Sequence, residues 1–180
     1  MKKLLIVVDY QNDFVDGALG FPGAEKLDGP IAARISEYRA NGDDVYFTLD
    51  THQSDYLNTQ EGRKLPVAHC IENSGGWQLY GQTAEAAWAG DKTFPKPTFP
   101  SLELGKWLEG KAYGQVELCG LVSHICVLTN AVIVKAALPE AEIVVDADLT
   151  ASYDPVLHEK ALDVLEGIQV TVLNRKEPTQ

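Results

Sequence analysis

The sequence predicts an α/β fold in three layers, with a mainly parallel sheet of about six strands between two helical faces. Three observations lead there. Short, near-continuous runs rich in Val and Ile recur along the chain, as strands buried on both faces do. Helical patterns with recognisable start and stop residues lie between most of them, which is the rhythm of parallel strands joined by crossovers. The length, 180 residues, suits a single domain, 1–180, able to bury its own core.

The strand runs are Leu4–Val8, Val45–Leu49, Val116–Leu121, Ile143–Val145 and Val170–Leu173, with the first expected at the centre of the sheet. Gly29 and Pro30 open a helix over about 30–40 and Gly42 closes it. Ser101 is a candidate N-cap for a helix over about 101–109, and a third helix over about 124–138 follows Ser123 and ends before Pro139. The fourth starts with Asp154 as N-cap and Pro155 at its first position, the usual order of a helix start. Its stripe is Leu157, Ala161 and Leu165, and Gly167 ends it. Residues 51–100 break this rhythm. Gly and Pro interrupt the stretch, and one short strand fits, around Lys92–Phe94. Unstructured stretches this long in compact domains are functional or disordered. Trp77, Tyr80 and Trp88 favour an ordered insertion.

Composition narrows the function. The formal net charge of −11 excludes nucleic acid as a partner, because neutralising phosphates needs a basic surface. No apolar run is long enough to span a membrane. At the N-terminus the apolar residues after two lysines reach only LLIVV before Asp9, so they read as a strand and not as a signal peptide. Three cysteines, Cys70, Cys119 and Cys126, make no disulfide framework and point to a reducing, cytoplasmic setting. Self-association into a homo-oligomer is left open.

Ligands of open parallel sheets bind beyond the carboxyl ends of the strands. Asp9 ends the first run, Asp50 and His52 end the second, and Ser123, His124 and Cys126 follow the Val116–Leu121 run. Cys126 at a helix N-terminus is either a small buried hydrophobe or a nucleophile whose thiolate the helix favours. Asp9 is either a capping carboxylate or an acid/base partner made more basic by burial. Cys119 and Cys70 read as structural, and His158 as a surface residue. Asp50 and His52, on alternate positions, can point to one side. With Glu61 and His69 they make an N/O set able to hold a metal.

The segments DYQNDFVDG (9–17), LDTH (49–52), KPTF (96–99) and GLVSHICV (120–127), in this order and spacing, resemble the isochorismatase-like cysteine hydrolases over nearly the whole chain. Within that superfamily residues 49–70 resemble the metal segment of the nicotinamidases. The resemblance implies a catalytic set of Asp9, Lys96 and Cys126, with Lys92 as the weaker alternative to Lys96. It also implies a cis peptide at Leu121–Val122, an oxyanion hole from the Val122 and Cys126 N–H groups, and Phe14 packed on the substrate ring. One divalent ion is expected at Asp50, His52 and His69, zinc first and manganese or iron as alternatives. Glu61 would stand in for an additional His that some nicotinamidases have, with Ser54 or Asp55 as fallbacks. The implied reaction is hydrolysis of nicotinamide to nicotinate and ammonia through a cysteine thioester, in NAD salvage. The alternative is another small amide, a ureido or carbamoyl compound. Residues 64–68 lack the tryptophan that some nicotinamidases place before the last metal His, so Trp77, Tyr56 or another loop residue is expected to supply the second aromatic.

Overall fold

The computed structural model describes residues 1–176. Six strands form one parallel sheet: β1 (Lys2–Val8), β2 (Asp44–Asp50), β3 (Lys92–Lys96), β4 (Tyr113–Leu121), β5 (Glu142–Ala151) and β6 (Thr171–Leu173), in the order β3-β2-β1-β4-β5-β6. The first strand sits inside the sheet, between β2 and β4. Alternation along it divides the core. Leu5 and Val7 face a layer with Ile31, Ile35 and Phe47, while Leu4, Ile6 and Val8 face Leu104, Val134 and Leu165. Successive side chains of a strand point to opposite faces, so one central run of five apolar residues anchors both helical layers.

The helices are α1 (Asn12–Val15), α2 (Asp28–Ala40), α3 (Gln60–Lys64), α4 (Gly81–Ala86), α5 (Leu102–Leu108), α6 (Leu128–Ala137) and α7 (Pro155–Gly167). Their caps follow from the side chains. Ser101 accepts the Leu104 N–H at 3.1 Å, and Asp154 accepts those of Val156 and Leu157 at 2.9 and 3.0 Å. Each satisfies N–H groups that an open helix start leaves unpaired. Residues 51–100 are ordered by α3, α4 and β3, and the Asp28 carboxylate ties α4 to α2 by accepting the N–H groups of Gln82 and Thr83, both at 2.9 Å. No helix among the described residues is long and apolar enough to cross a membrane.

Several local expectations change. β5 continues six residues past Val145, through Asp146 and Asp148. The apolar run stops there, but the strand persists because Asp146 is buried against Arg34 and Asn174. The expected third helix begins as a π-helical turn, Ser123–Val127, and becomes α-helical only at Leu128. Leu157 is 36% exposed, and Leu162 takes its place in the buried stripe with Ala161 and Leu165. Gly167 is still helical, and the left-handed turn falls on Gln169 at φ +68°. Trp88 is 64% exposed and stays out of the core, its ring covered by Arg39 at 3.7 Å. His158 is half-buried, its Nδ1 2.9 Å from Ser123 Oγ.

β1 and β4 end in unusual backbone. Asp9 has φ +47° and turns the chain out of the sheet. Gly120 has φ +106°, and a Cβ there would stand 2.1 Å from the Val8 carbonyl oxygen, so only glycine fits. The Leu121–Val122 peptide is cis.

Candidate active site

Asp9, Lys96 and Cys126 come from three different strand ends and meet at the carboxyl edge of the sheet. Asp9 follows β1, Lys96 ends β3 on the far side of β2, and Cys126 lies in the turn after β4. Lys96 can cross beneath β2's end because its long side chain is buried. Its Nζ lies 2.6 Å from Asp9 Oδ2, 3.2 Å from Asp50 Oδ1, 3.1 Å from the Thr98 carbonyl oxygen and 3.6 Å from Cys126 Sγ. Lys92 is exposed and lies over the Trp107 ring instead. The other carboxylate oxygen of Asp9 accepts the Thr48 hydroxyl at 2.6 Å. Oδ2 meets the Lys96 ammonium as an ion pair.

Burial and charge then set protonation. Burial pushes the Asp9 carboxyl above the usual carboxylate range; Lys96 pulls against this and Asp50 adds to it. Burial also pushes the Cys126 thiol well up, with Lys96 again opposing and Asp9 adding to the rise. For Lys96 burial favours the neutral amine, but Asp9, Cys126 and Asp50 outweigh it and hold the ammonium. The result is a protonated thiol, a carboxylate made more basic and a fixed cation. A proton leaving Sγ for Asp9 would leave a thiolate facing that cation.

Beside this group is a second one. Asp50 Oδ2 is 3.1 Å from His52 Nε2 and 3.2 Å from His69 Nε2. All three residues are buried, and one donor atom from each falls within 4.8 Å of the others. His69 Nδ1 lies 2.8 Å from the Val67 carbonyl oxygen. That bond takes the ring's proton and turns the Nε2 lone pair toward Asp50. A ring nitrogen and a carboxylate aimed at one point are held by a proton on Nε2 or by a cation, and with His52 beside them the donor set fits a divalent metal. Burial lowers the His69 pKa, yet Asp50 prevails and raises it. Burial likewise pushes Asp50 up, but Lys96, His52 and His69 hold it below the usual carboxylate range. Glu61 stands at the rim, its Oε1 3.6 Å from His52 Nε2. Ser54 and Asp55 are exposed.

A cavity of about 440 Å³ opens over both groups. Cys126, Val122, Asp50, His69 and Glu61 line its polar end, and Phe14, Leu19, Ile125, Phe99 and Tyr153 its apolar wall. Phe14 packs edge-on against His69, with centroids 5.6 Å apart. Neither Trp77 nor Tyr56 is part of this wall. Trp77 donates its ring N–H to Thr51 Oγ1 at 2.8 Å, and Tyr56 packs behind the two histidines. The other aromatics lining the cavity are the loop residues Phe99 and Tyr153, which sequence reasoning did not name. Both carried a signal: Phe99 lies in KPTF, and Tyr153 sits between β5 and the Asp154 cap, at the same sheet edge as Asp9 and Cys126.

An isochorismatase domain model matches residues 3–177. The chain is 33% identical over 175 residues to an uncharacterized isochorismatase family protein, PncA, of Bacillus subtilis (strain 168), covering 90% of this chain and 93% of that one. The crystal structure of nicotinamidase/pyrazinamidase PncA from Bacillus subtilis superimposes with a TM-score of 0.84 at 30% identity, covering 97% of this chain and 100% of that one. The fold is shared as well with the pyrazinamidase of Pyrococcus horikoshii in complex with zinc, at a TM-score of 0.82 and 24% identity, over 97% of this chain and 100% of that one. By its sequence and its fold, this chain belongs to the isochorismatase family of hydrolases.

Proposed function

We propose that this chain is a nicotinamidase: a cysteine amidohydrolase that converts nicotinamide to nicotinate and ammonia. The observation that carries the reading is the meeting of Asp9, Lys96 and Cys126 at the mouth of an apolar cavity that also reaches a buried Asp–His–His set. Asp9 takes the proton from Cys126 Sγ, and Lys96 stabilises the thiolate. The thiolate forms a C–S bond to the carboxamide carbon while the carbonyl π electrons move to oxygen. The Val122 and Cys126 N–H groups hold that oxyanion; a single donor of this kind is worth about 2.7–4 kcal/mol in the transition state. The C–N bond then breaks, and Asp9 returns its proton to the departing ammonia. Asp9 next deprotonates a water that attacks the thioester, and the proton goes back to Sγ as the carboxylic acid leaves.

Phe14 and the facing wall of Phe99 and Tyr153 hold the ring flat over Cys126. Asp50, His52 and His69, with Glu61 at the rim, would hold one divalent ion, zinc first and manganese or iron next. Such an ion supplies a Lewis-acid anchor for a pyridine nitrogen. Among the described residues no Lys or Arg lines the cavity. A neutral carboxamide fits that lining, and a substrate bearing its own carboxylate would be desolvated without a partner. This weighs against carboxylated ureido compounds. The whole chain would act as one catalytic domain, with 51–100 as the insertion that brings the metal ligands. Its place would be the cytoplasm, in NAD salvage. An ammonia-release screen over nicotinamide, pyrazinamide and ureido compounds tests the reading. The two pyridine and pyrazine carboxamides should lead; a ureido compound turned over faster would replace the substrate.

A further inference from the structure

The proposed reaction gives no role to Gln11 or Asp13 of the DYQNDF segment. Gln11 is buried, and its amide is fully used. Nε2 donates to the Asp50 carbonyl oxygen at 2.9 Å and to that of Trp77 at 2.7 Å, and Oε1 accepts the Asp50 N–H at 2.8 Å. The reason lies in the sheet. The last rung between β1 and β2 is the bond from the Asp9 N–H to the Thr48 carbonyl oxygen, 3.2 Å. Beyond it Asp9 turns away at φ +47°, and Asp50 loses a strand neighbour on that side. The Gln11 side chain replaces the missing neighbour and fixes both backbone groups of Asp50. Asp50 is also the residue whose carboxylate is shared, one oxygen facing Lys96 and the other facing both histidines.

Asp13 performs the matching task on the other ligand segment. Its Oδ2 accepts the N–H of Cys70, next to His69, at 2.7 Å, and its Oδ1 accepts the Ala18 N–H at 3.1 Å. Gly76 is packed against it; a Cβ there would stand 2.1 Å from Oδ2. Two side chains one short turn apart therefore grip Asp50 and the His69 segment, which lie in separate parts of the chain. We propose that Gln11 and Asp13 are positioning residues that set the spacing of the Asp50 and His69 ligands for a divalent ion. This rests on the reading that Asp50, His52 and His69 hold such an ion.

The test is zinc affinity, measured by competition with a chromophoric chelator, alongside the melting temperature of each metal-free protein. Wild type should take up one equivalent. Gln11→Ala should bind zinc about 10–100-fold more weakly, the usual loss when a group supporting a metal ligand is removed. Asp13→Asn, which keeps the size and one acceptor oxygen, should lose less. Tyr38→Phe removes a buried hydrogen bond to Glu117, away from the metal set; it should lose stability but keep wild-type zinc affinity. Gln11→Ala and Asp13→Asn proteins that bind zinc like wild type would overturn the inference. So would a Tyr38→Phe protein that loses as much affinity as they do. Wild type that binds no zinc would take down the metal reading itself. If Gln11→Ala cannot be recovered folded, Asp13→Asn decides.

Discussion

Two regions of this molecule bury charge, and they do it in opposite ways. On the α2 face, Arg34 meets Glu117 of β4 and Asp146 of β5. Every carboxylate oxygen there is satisfied. Tyr38 donates to Glu117 Oε2 at 2.7 Å, and the Asp148 N–H and Asn174 complete Asp146, each at 3.0 Å. At the carboxyl edge, Asp9 Oδ2 rests on the Lys96 ammonium alone, an ammonium it shares with Asp50, and lies beside a thiol held protonated. A saturated network can only hold elements together. A less complete one leaves a carboxylate beside a thiol, the pair proposed to exchange a proton, at a cost in stability that the rest of the core must offset.

The contrast is sharpest at the thiol. Cys126→Ala should lower ammonia release by at least about 10⁴-fold and leave the melting temperature close to wild type, since Ala suits a helical turn. Asp9→Asn should cost about 10²–10⁴-fold, because an amide cannot shuttle the proton. Normal ammonia release from either variant would mean that the incomplete group is not where the chemistry happens.

Removing the metal should have a smaller effect. Chelation, or His52→Ala, should reduce kcat/KM for pyridine carboxamides by about 10²-fold, the scale of a misplaced substrate. Alkylation of Cys126 by iodoacetamide should keep its wild-type rate. Full activity in a metal-free preparation would detach the Asp50 set from the reaction and reopen the ureido and carbamoyl alternatives.

The saturated network should leave activity unchanged. Arg34→Ala should destabilise the fold by about 2–3 kcal/mol, less than for a fully buried pair because the Arg34 side chain reaches solvent. Activity per folded molecule should not change. The pH dependence follows from Glu117, whose carboxyl burial raises above its usual range while Tyr38 and Arg34 oppose the rise. Without Arg34 the folded pKa climbs further. Between the unfolded and folded pKa values the native state then holds the extra proton, so stability falls as pH rises. The defect should therefore be small near pH 5 and largest near pH 8 in denaturant titrations. A defect independent of pH would assign the loss to packing.

The same contrast explains what could be read in advance. Asp9, Asp50, His52 and Cys126 were legible because each follows an apolar run, where the topology of a parallel sheet gathers side chains at one edge. His69 and Glu61 were legible only as residue types that could join Asp50 and His52 in an N/O set, and Lys96 and Phe14 needed the resemblance to known sequences. Glu117 and Asp146 interrupt apolar strands, and partners distant in sequence, Arg34 and Tyr38 for one and Arg34 and Asn174 for the other, make their burial tolerable. The cavity wall was hidden for a related reason. Phe99 and Tyr153 come from separate loops, and no local pattern brings them to one cavity with Phe14. The π-helical turn at Ser123–Val127 was equally invisible, because its residues suit an α-helix.

Gly120 has a consequence for anyone sorting random variants. It touches no ligand group, yet its missing side chain is the only reason the Val8 carbonyl can lie where it does. In a genetic selection for activity, replacements at Gly120 and at Cys126 would die alike. Counting soluble protein in the same clones would separate them, since a lost nucleophile leaves a folded and silent molecule behind, while a side chain at Gly120 leaves little to count.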